Sequence, residues 1–255
     1  MWRSFSDHVE KLAGECEGSV LTTEGFIVNG TPAGGGTTAV PILMQASGLR
    51  AFAKPARPDP DGAACAAREK IASDIAYNLG LPVAPVILSN TTNGTSLPPL
   101  VCISYSALAQ PRPWNQITLT EDEMNSLRPG LAALFAFHTW LDDHDHNWND
   151  GNVLLERGTD NIVRMVSIDY SFSLNKAWNP PEPAPIRQWK TRSGPYSKTD
   201  MTALEAAVGK IEKYPEDKIR ATISKIPHEF LSPTTGEALV TGLLARRHEI
   251  RNLLF

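Results

Sequence analysis

The sequence predicts an α+β protein with two lobes, a β-rich N-terminal lobe followed by a mainly helical C-terminal lobe. Short β-rich runs and one strong helical pattern fill the first part of the chain, whereas apolar residues recur with a helical period beyond residue 116. Between these parts, the stretch 104–116 contains Pro111 and Pro113 and is typical of a linker. We therefore expect an antiparallel sheet plus one helix over residues 1–108, and a helical lobe with an acidic loop and a β-hairpin over residues 109–255.

Length and composition agree with an ordinary globular protein. The chain has 255 residues, of which 42% are hydrophobic and 20% charged, enough for one large domain or two small lobes. The net charge of −4 favours neither a nucleic acid nor an anionic membrane as the main partner. Cys16, Cys65 and Cys102 are far apart and lack metal-ligand spacing, which favours reduced thiols. The N-terminus has no apolar signal region and no run is long enough to span a membrane, so we expect a cytoplasmic protein.

The first strands flank a glycine-rich turn. A weak helix over residues 1–20 precedes strand-like runs at 26–28 and 40–43, and Gly34, Gly35 and Gly36 lie between these runs. Three adjacent glycines allow a tight, exposed turn whose backbone N–H groups could cradle a phosphate. No Gly-Lys-Ser/Thr ending follows, so the turn is not a P-loop. Taken alone, such glycines are more often a flexible turn than a ligand loop.

A lysine and a glutamate stand out in the next two elements. Residues 50–54 are predicted to form a strand ending in Lys54, and residues 63–79 a helix that carries Glu69 among alanines. A lysine at a strand end is most often solvated, and a glutamate most often exposed. The small neighbours of Glu69 would nevertheless allow this helix to approach the sheet closely, which makes an ion pair with Lys54 geometrically possible. Residues 80–83 then end the helix, and extended runs to residue 88 and over 100–103 complete the sheet.

Beyond the linker, the patterns are helical. Thr120 and Glu123 form a capping-box pattern, and Pro129 is expected to open a helix whose apolar face includes His138. A histidine on such a face is more often a core residue than a metal ligand. Three more helices are expected at about 199–213, 216–225 and 236–254. We interpret the basic cluster near the C-terminus as a solvated helix face; it consists of Arg246, Arg247, His248 and Arg251.

The stretch 138–174 contains the strongest functional signal. Acids, histidines and amides crowd residues 144–152, and two β-rich runs at 153–155 and 162–168 follow with a Gly/Asp turn between them. This pattern predicts an antiparallel hairpin. Asn152 enters its first strand and Asp169 leaves its second, so both side chains should lie at the same end of the hairpin. Oxygen ligands that converge in this way suit a hard cation such as Mg²⁺.

These motifs resemble those of the HipA-like kinases, within the protein-kinase-like and phosphatidylinositol-kinase-like superfamily. Arg68-Glu69 followed by Leu79-Gly80-Leu81-Pro82-Val83 is similar to the helix and exit of that family. Asp145-His146-Asn147-Trp148 with Gly151-Asn152 resembles its catalytic loop, and the segment from Ile168 to Phe172 resembles its metal-binding segment. The eukaryotic kinase motifs Gly-x-Gly-x-x-Gly, His-Arg-Asp and Asp-Phe-Gly do not occur. The resemblance covers roughly residues 20–254.

The resemblance implies a bilobal protein-kinase-like fold and transfer of the γ-phosphoryl group of ATP to a hydroxyl group, expected to be a protein Ser or Thr. It assigns the α- and β-phosphates to Lys54, which Glu69 would fix, and Mg²⁺ to Asn152 and Asp169. Asp145 would orient the acceptor and take its proton. It also implies a protein substrate and an antitoxin-type protein partner. The expected nucleotide-binding residues are Gly34, Gly35 and Gly36 over the phosphates, and Cys102, Ile103 and Tyr105 against the adenine.

Two departures from the family pattern keep alternatives open. The family places its catalytic Asp five residues before the metal Asn, whereas Asp145 lies seven residues before Asn152. The catalytic acid is therefore one of four candidates, namely Asp142, Asp143, Asp145 and Asp150. His146 also replaces the usual arginine. The rival hypotheses are a catalytically dead pseudokinase that serves as a binding module, and a metal-dependent hydrolase that uses the Asp/His cluster at 142–150 with His138, His144 and His146.

Overall fold

The N-terminal part of the chain forms a five-stranded antiparallel sheet. The computed structural model describes residues 7–31, 39–56, 62–90, 97, 99–143, 145–174 and 201–255. The strands are β1 (Phe26–Val28), β2 (Val40–Met44), β3 (Arg50–Pro55), β4 (Val86–Ser89) and β5 (Val101–Tyr105). They lie in the order β1-β2-β3-β5-β4, so the predicted antiparallel sheet is confirmed.

Side-chain alternation explains how this sheet is buried. In β3, Ala51 and Ala53 point to a buried face, whereas Phe52 is exposed on the other side. The buried face carries an apolar cluster that includes Phe26, Ile42 and Ile103. Every residue of β4 and β5 is buried, because packing covers both faces of these two strands.

The helix α2 (Gly62–Leu79) lies between the sheet and the helical half. Its residues from Ala66 to Ala76 are buried on all sides, as expected for a helix of small residues that packs against neighbours all round. Gly80 ends the helix with a left-handed backbone, φ +70°. Two hydrogen bonds close the helix end: Leu81 N–H donates to Ala76 O, and Gly80 N–H donates to Tyr77 O. This is the glycine-dependent helix end predicted at residue 80.

The helix α1 (Asp7–Gly18) packs beside β4, which is an edge strand of the first sheet. After α1, the chain runs beside this edge, where Leu88 N–H donates to Val20 O and Thr22 N–H donates to Leu88 O. These two bonds occupy the backbone groups that Leu88 would otherwise offer to another chain at the sheet edge. The weak helix predicted over residues 1–20 is thus confirmed, and it has a structural role that its sequence does not reveal.

The C-terminal half consists of helices and a second, three-stranded sheet. The sheet contains β6 (Arg112–Pro113), β7 (Val153–Arg157) and β8 (Val163–Ser167), and the first long helix is α3 (Glu121–Trp140). The predicted capping box of Thr120 and Glu123 starts α3. The prediction that Pro129 opens this helix was wrong, since Pro129 lies inside it. The hydrogen bond that proline removes would end at the carbonyl of Asn125, which lies on an exposed turn where water can replace the lost donor.

Four further helices lie in the described part of the C-terminal half. They are α4 (Asp145–Trp148), α5 (Met201–Glu212), α6 (Glu216–Ser224) and α7 (Pro233–Leu254). The three predicted C-terminal helices are therefore confirmed, although α7 starts earlier than expected because Ser232 caps it and Pro233 occupies its first turn. The main apolar core joins α2, α3, α5 and α7. No helix in the described ranges is both long and apolar enough to cross a membrane.

The interpretation of Arg246 as a solvated residue was wrong. This side chain is 3% exposed. Its guanidinium donates to the carbonyl groups of Thr139 and Trp140 at the end of α3, and it lies 3.2 Å from the carboxylate of Asp142. Arg246 thus satisfies the last carbonyls of α3 and fixes the turn that leads into the acidic loop.

Replacement of Arg246 by methionine should lower the free energy of unfolding by about 3–5 kcal/mol, because it leaves the Asp142 carboxylate buried without its partner. Urea denaturation of both proteins measures this difference. Arg251→Met is the matched control, since Arg251 lies on the same helix but pairs with Glu212 at the surface, and it should change stability far less. Equal losses in the two variants would contradict the anchoring role of Arg246.

Candidate active site

The β-hairpin brings Asn152 and Asp169 to one end of the second sheet, as predicted. Val153 pairs with Ser167 in the antiparallel register of β7 and β8. One step further along, Ile168 N–H donates to Asn152 O over 3.0 Å. The two residues that flank the hairpin are therefore joined through neighbouring backbone groups.

A backbone connection links this hairpin to the N-terminal half. Ser167 N–H donates to Pro82 O over 2.7 Å, and Ala84 N–H donates to Ser167 O over 3.0 Å. The chain that leaves α2 thus pairs with the last residue of β8. Asp169 follows with a left-handed backbone, φ 67°, which aspartate tolerates better than most residues and which ends the extended run.

This arrangement places Lys54 between two carboxylates. The Lys54 ammonium lies 2.5 Å from the Glu69 carboxylate and 2.8 Å from that of Asp169. Glu69 is 2% exposed and so is not the solvated glutamate that its residue type favours. The ion pair that the sequence made possible is therefore present in the structure, and a second one to Asp169 accompanies it.

Burial and charge compete at all three groups of this cluster. Burial alone would lower the pKa of Lys54, but the carboxylates of Glu69 and Asp169 outweigh it and hold that pKa above its ordinary value. Burial would raise the pKa of Asp169, but the Lys54 ammonium brings it below its ordinary value. Burial prevails at Glu69, whose pKa is raised despite Lys54. Lys54 and Asp169 are consequently a charged pair at neutral pH.

The four candidate catalytic acids lie in different surroundings. Asp142 is buried against Arg246, and Asp143 is buried beside His146. Asp145 is partly exposed, and its Oδ2 accepts a hydrogen bond of 2.6 Å from the Asn152 amide. Asp150 is also partly exposed and starts a short 3₁₀ turn. Among the four, Asp145 is the one whose hydrogen bond joins it to Asn152.

His146 connects the acidic loop to Ile168, the residue that follows β8. Its Nε2 lies 2.8 Å from Ile168 O, and its Nδ1 lies 3.0 Å from Asp143 Oδ1. Burial would lower the pKa of His146, but the Asp143 carboxylate reverses this effect, so the pKa is raised above 6.5. The ring also stacks on Tyr170, with centroids 4.5 Å apart, and contacts the tilted ring of His138 at 4.2 Å. A charged imidazole here donates to the carbonyl that precedes Asp169 and thereby links the loop to β8.

A cleft of about 490 Å³ opens between the two sheets, within the usual range of small-molecule sites, about 300–1,000 Å³. Lys54, Asn152 and Asp169 all line it, although they come from distant parts of the chain. The wall opposite them is largely apolar. The remaining lining residues are Ala39, Phe52, Ala84, Ser104, Tyr105, Ser106, Ala107, Leu108, Pro111, Pro113, Asn149, Gly151, Leu154, Val166 and Ile168.

The segment that lines the cleft on the expected adenine side lies later in the chain than the sequence predicts. Cys102 and Ile103 are buried inside β5, where each pairs with both β3 and β4, and neither lines the cleft. The wall starts at Ser104, continues through the predicted Tyr105 and ends at Leu108. β5 extends to Tyr105, two residues further than the sequence indicates, so the segment that leaves the strand begins later than expected. The predicted glycine turn of Gly34, Gly35 and Gly36 lies outside the described residues.

The residues of the cleft fit a magnesium ion better than a transition metal. Asn152 and Asp169 offer an amide and a carboxylate oxygen, and Mg²⁺ typically takes one or two such ligands beside phosphate oxygens and water. Within the described residues, no group of three or more His, Cys, Asp or Glu side chains is arranged to hold a metal. His138, as predicted, is a core residue whose Nε2 lies 2.9 Å from the Tyr170 hydroxyl. His144 lies outside the described residues.

Sequence reasoning missed three contributors to this site. Asn149 donates to Asn152 Oδ1 over 3.1 Å and thereby orients the amide. Asp143 holds His146, and Arg246 anchors the turn before both. The run of acids at 142–150 made Asp143 a candidate catalytic acid, but it did not indicate that Asp143 contacts His146. No local pattern near Arg246 indicates that it reaches the end of α3.

The fold and this cleft define a class: the chain has a bilobal, protein-kinase-like α+β fold. Among solved structures, it is similar to the crystal structure of a Helicobacter pylori proinflammatory kinase, CtkA. The TM-score is 0.63 at 15% sequence identity, over 92% of this chain and 97% of that chain. At this identity the likeness concerns the fold alone. No protein-family profile and no curated protein sequence matches the chain.

The contacts of His146 should make the free energy of unfolding depend on pH. Because its pKa is raised in the folded protein, the charged ring contributes stability that is fully present below about pH 6.5 and is lost as the pH rises through the folded pKa. We expect His146→Gln to be less stable than wild type at about pH 6, with the difference shrinking towards about pH 9. Urea unfolding across this range measures it.

Asp143→Asn is the matched control for this prediction. Without the carboxylate, the buried ring loses the main group that favours its charged form, so the variant should lose most of the same pH-dependent contribution. A difference between wild type and His146→Gln that stays constant or grows with pH would contradict the charged state of His146.

Proposed function

We propose that this protein is an ATP-dependent kinase that moves the γ-phosphoryl group of ATP to a hydroxyl acceptor. The observation that carries the proposal is the meeting of Lys54, Glu69 and Asp169 at one cleft that Asn152 also lines. These residues come from a strand, a helix, a hairpin end and a loop. Chemistry that handles several phosphate groups requires this combination of a fixed cation and oxygen ligands.

Lys54 would bind the α- and β-phosphates, and Glu69 would keep its ammonium in the cleft. The flexible lysine side chain loses rotamer freedom when it is fixed, and the 2.5 Å contact with the buried Glu69 carboxylate supplies that restraint before a nucleotide arrives. The pair to Asp169 would open when phosphate oxygens take its place. Preorganised charge of this kind stabilises the charge that develops in the transition state.

Asn152 and Asp169 would hold magnesium. Lys54 is the one cationic side chain among the described cleft residues, which is too little positive charge for a triphosphate. Bound Mg²⁺ bridges phosphate oxygens and neutralises their charge. Asn149 keeps the Asn152 amide oriented, and the Ser171 hydroxyl donates to Asp169 Oδ1 over 2.7 Å. Both metal ligands are thus positioned by their neighbours.

Asp145 would act as the general base. The Asn152 amide holds its Oδ2, and the partial exposure of the side chain leaves it accessible to an acceptor. The carboxylate would orient the acceptor hydroxyl and take its proton as the phosphoryl group arrives. The two extra residues between Asp145 and Asn152 are Asn149 and Asp150, which cap and start the 3₁₀ turn after α4, and this turn brings the side chains together despite the longer spacing.

The adenine would lie against the segment from Ser104 to Leu108. Ala84, Leu108 and Val166 form a small apolar cluster that lines the cleft there. A flat base fits between such apolar surfaces, while backbone groups of the segment give its edge hydrogen-bond partners. This assignment replaces Cys102 and Ile103 with the residues that follow them, and retains Tyr105.

The motif resemblance to HipA-like kinases supports the finer part of the proposal, a Ser or Thr of a cytoplasmic protein as the acceptor. A pseudokinase with the same cleft would bind Mg·ATP without transferring phosphate, so binding and transfer need separate tests. A zinc- or iron-dependent hydrolase would instead contain tightly bound metal after purification.

Mg·ATP should stabilise the wild-type protein, with a rise in melting temperature that depends on Mg²⁺ and grows with ATP concentration. Lys54→Met and Asp169→Asn should each abolish most of this rise, because one loses the phosphate contact and the other a metal ligand. Differential scanning fluorimetry with and without Mg²⁺ measures it. Asp150→Asn serves as a control that changes one nearby carboxylate, and an equal rise in all four proteins would contradict the assigned site.

Phosphotransfer from labelled ATP to a generic protein acceptor, or to the protein itself, should fall about 10²–10⁴-fold in Asp145→Asn, the typical contribution of a general base. Asp142→Asn, Asp143→Asn and Asp150→Asn separate the other candidate acids. The loss should be largest for Asp145→Asn among the variants that retain Mg·ATP binding. Transfer that survives both Asp145→Asn and Asp169→Asn would refute the mechanism, and wild type that binds Mg·ATP without transfer would indicate a pseudokinase.

A further inference from the structure

A buried lysine fastens α1 to α2. Lys70 is fully buried, and its ammonium donates to the Cys16 carbonyl over 2.5 Å and to Asp74 Oδ1 over 2.6 Å. Cys16 lies in the last turn of α1, where carbonyl groups lack helical partners and a cation is favourable. The contact therefore attaches the C-terminal end of α1 to the middle of α2.

Two further contacts prevent α1 from sliding along α2. The Cys16 side chain is 3% exposed and packs into the apolar cluster on the buried face of the first sheet, the cluster that includes Phe26, Ile42 and Ile103. The chain after α1 then hydrogen-bonds on both sides of Leu88 at the β4 edge. We call α1 together with residues 19–22 the α1 strap.

The α1 strap also reaches the helical half. Glu17 lies 3.3 Å from the Lys225 ammonium, immediately after α6. This pair is partly exposed and contributes little by itself. The pair is informative because of where it lies: it connects the C-terminal end of α1 to the end of α6 in the helical half.

The residue next to Lys70 on α2 is Glu69. A movement of α2 that breaks the Lys70 contact would carry the Glu69 carboxylate away from Lys54, since the two residues share one turn of a rigid helix. A buried ion pair such as Lys70–Asp74 seldom adds net stability, because desolvation offsets the attraction. What the pair provides here is a fixed register between two helices.

We propose that the α1 strap positions the candidate active site, and that Lys70 is a positioning residue that holds Glu69 against Lys54. Its effect on catalysis rests on the proposed kinase function. Its effect on the Lys54–Glu69 contact does not depend on that function, and the two can be measured separately.

Lys70→Met and the double variant Lys70→Met/Asp74→Leu test the proposal. The single variant leaves a buried carboxylate unpaired and should be destabilised. The double variant removes both charges and should regain stability, while the contact to Cys16 stays lost. A purely stabilising role predicts that the double variant behaves as wild type, whereas a positioning role predicts that it does not.

The first readout is the rate at which an amine-acylating reagent labels Lys54 without nucleotide, followed by mass spectrometry. Lys54 is 19% exposed in its side chain and held by two carboxylates, so it should react slowly in wild type. We expect a rise of about 5-fold or more in both variants, approaching the rate in Glu69→Gln. Lys11, an exposed residue in the same samples, should react equally in all of them. An unchanged Lys54 rate in the double variant would overturn the proposal.

The second readout is phosphotransfer from labelled ATP. We expect kcat to fall about 10-fold or more in the double variant, despite its regained stability. Full activity there would overturn the catalytic role of the α1 strap. Faster labelling of Lys54 combined with no transfer even in wild type would retain the positioning role and reject the kinase function.

Discussion

In the protein without nucleotide, the ion pair between Lys54 and Asp169 is the contact that sets how the two halves face each other across the cleft. It joins a strand of the first sheet to the end of a hairpin in the second, so the two halves must meet at one place. Neither group is fully exposed, and α2 places the Glu69 carboxylate against the same ammonium. The backbone bonds between Ser167 and the chain that leaves α2 keep the halves in this relation.

The polar groups around the cleft form connected layers. Asn149 orients Asn152, Asp143 holds His146, and Arg246 closes the turn that precedes them. Each of these contacts places a polar or charged group beside a partner, which reduces the cost of burying it. A loop that carries several acids in a short stretch can therefore remain ordered, with Asp145 and Asp150 partly exposed and with Asp142 and Asp143 paired inside the protein.

Hairpin geometry made the central part of this site predictable from sequence. Two β-rich runs with a turn between them force their outer ends together, so the convergence of Asn152 and Asp169 followed before any tertiary contact was known. The outcome for Lys54 and Glu69 did not follow, because residue type alone favours solvation and only the packing of α2 decides otherwise. The helix contacts of Arg246 and Lys70 were unpredictable for a related reason: both side chains also donate to backbone carbonyls of distant helices, which leave no local signal. The adenine-side wall was misplaced because strand ends depend on the neighbouring strands.

The most direct test of this account is a crystal structure of the protein with Mg²⁺ and a non-hydrolysable ATP analogue. The account predicts a triphosphate between Lys54 and Asp169, a metal ion on Asn152 and Asp169, and the base against residues 104–108. An analogue bound elsewhere, or a cleft in which Lys54 stays paired with Asp169 at saturating analogue, would contradict it.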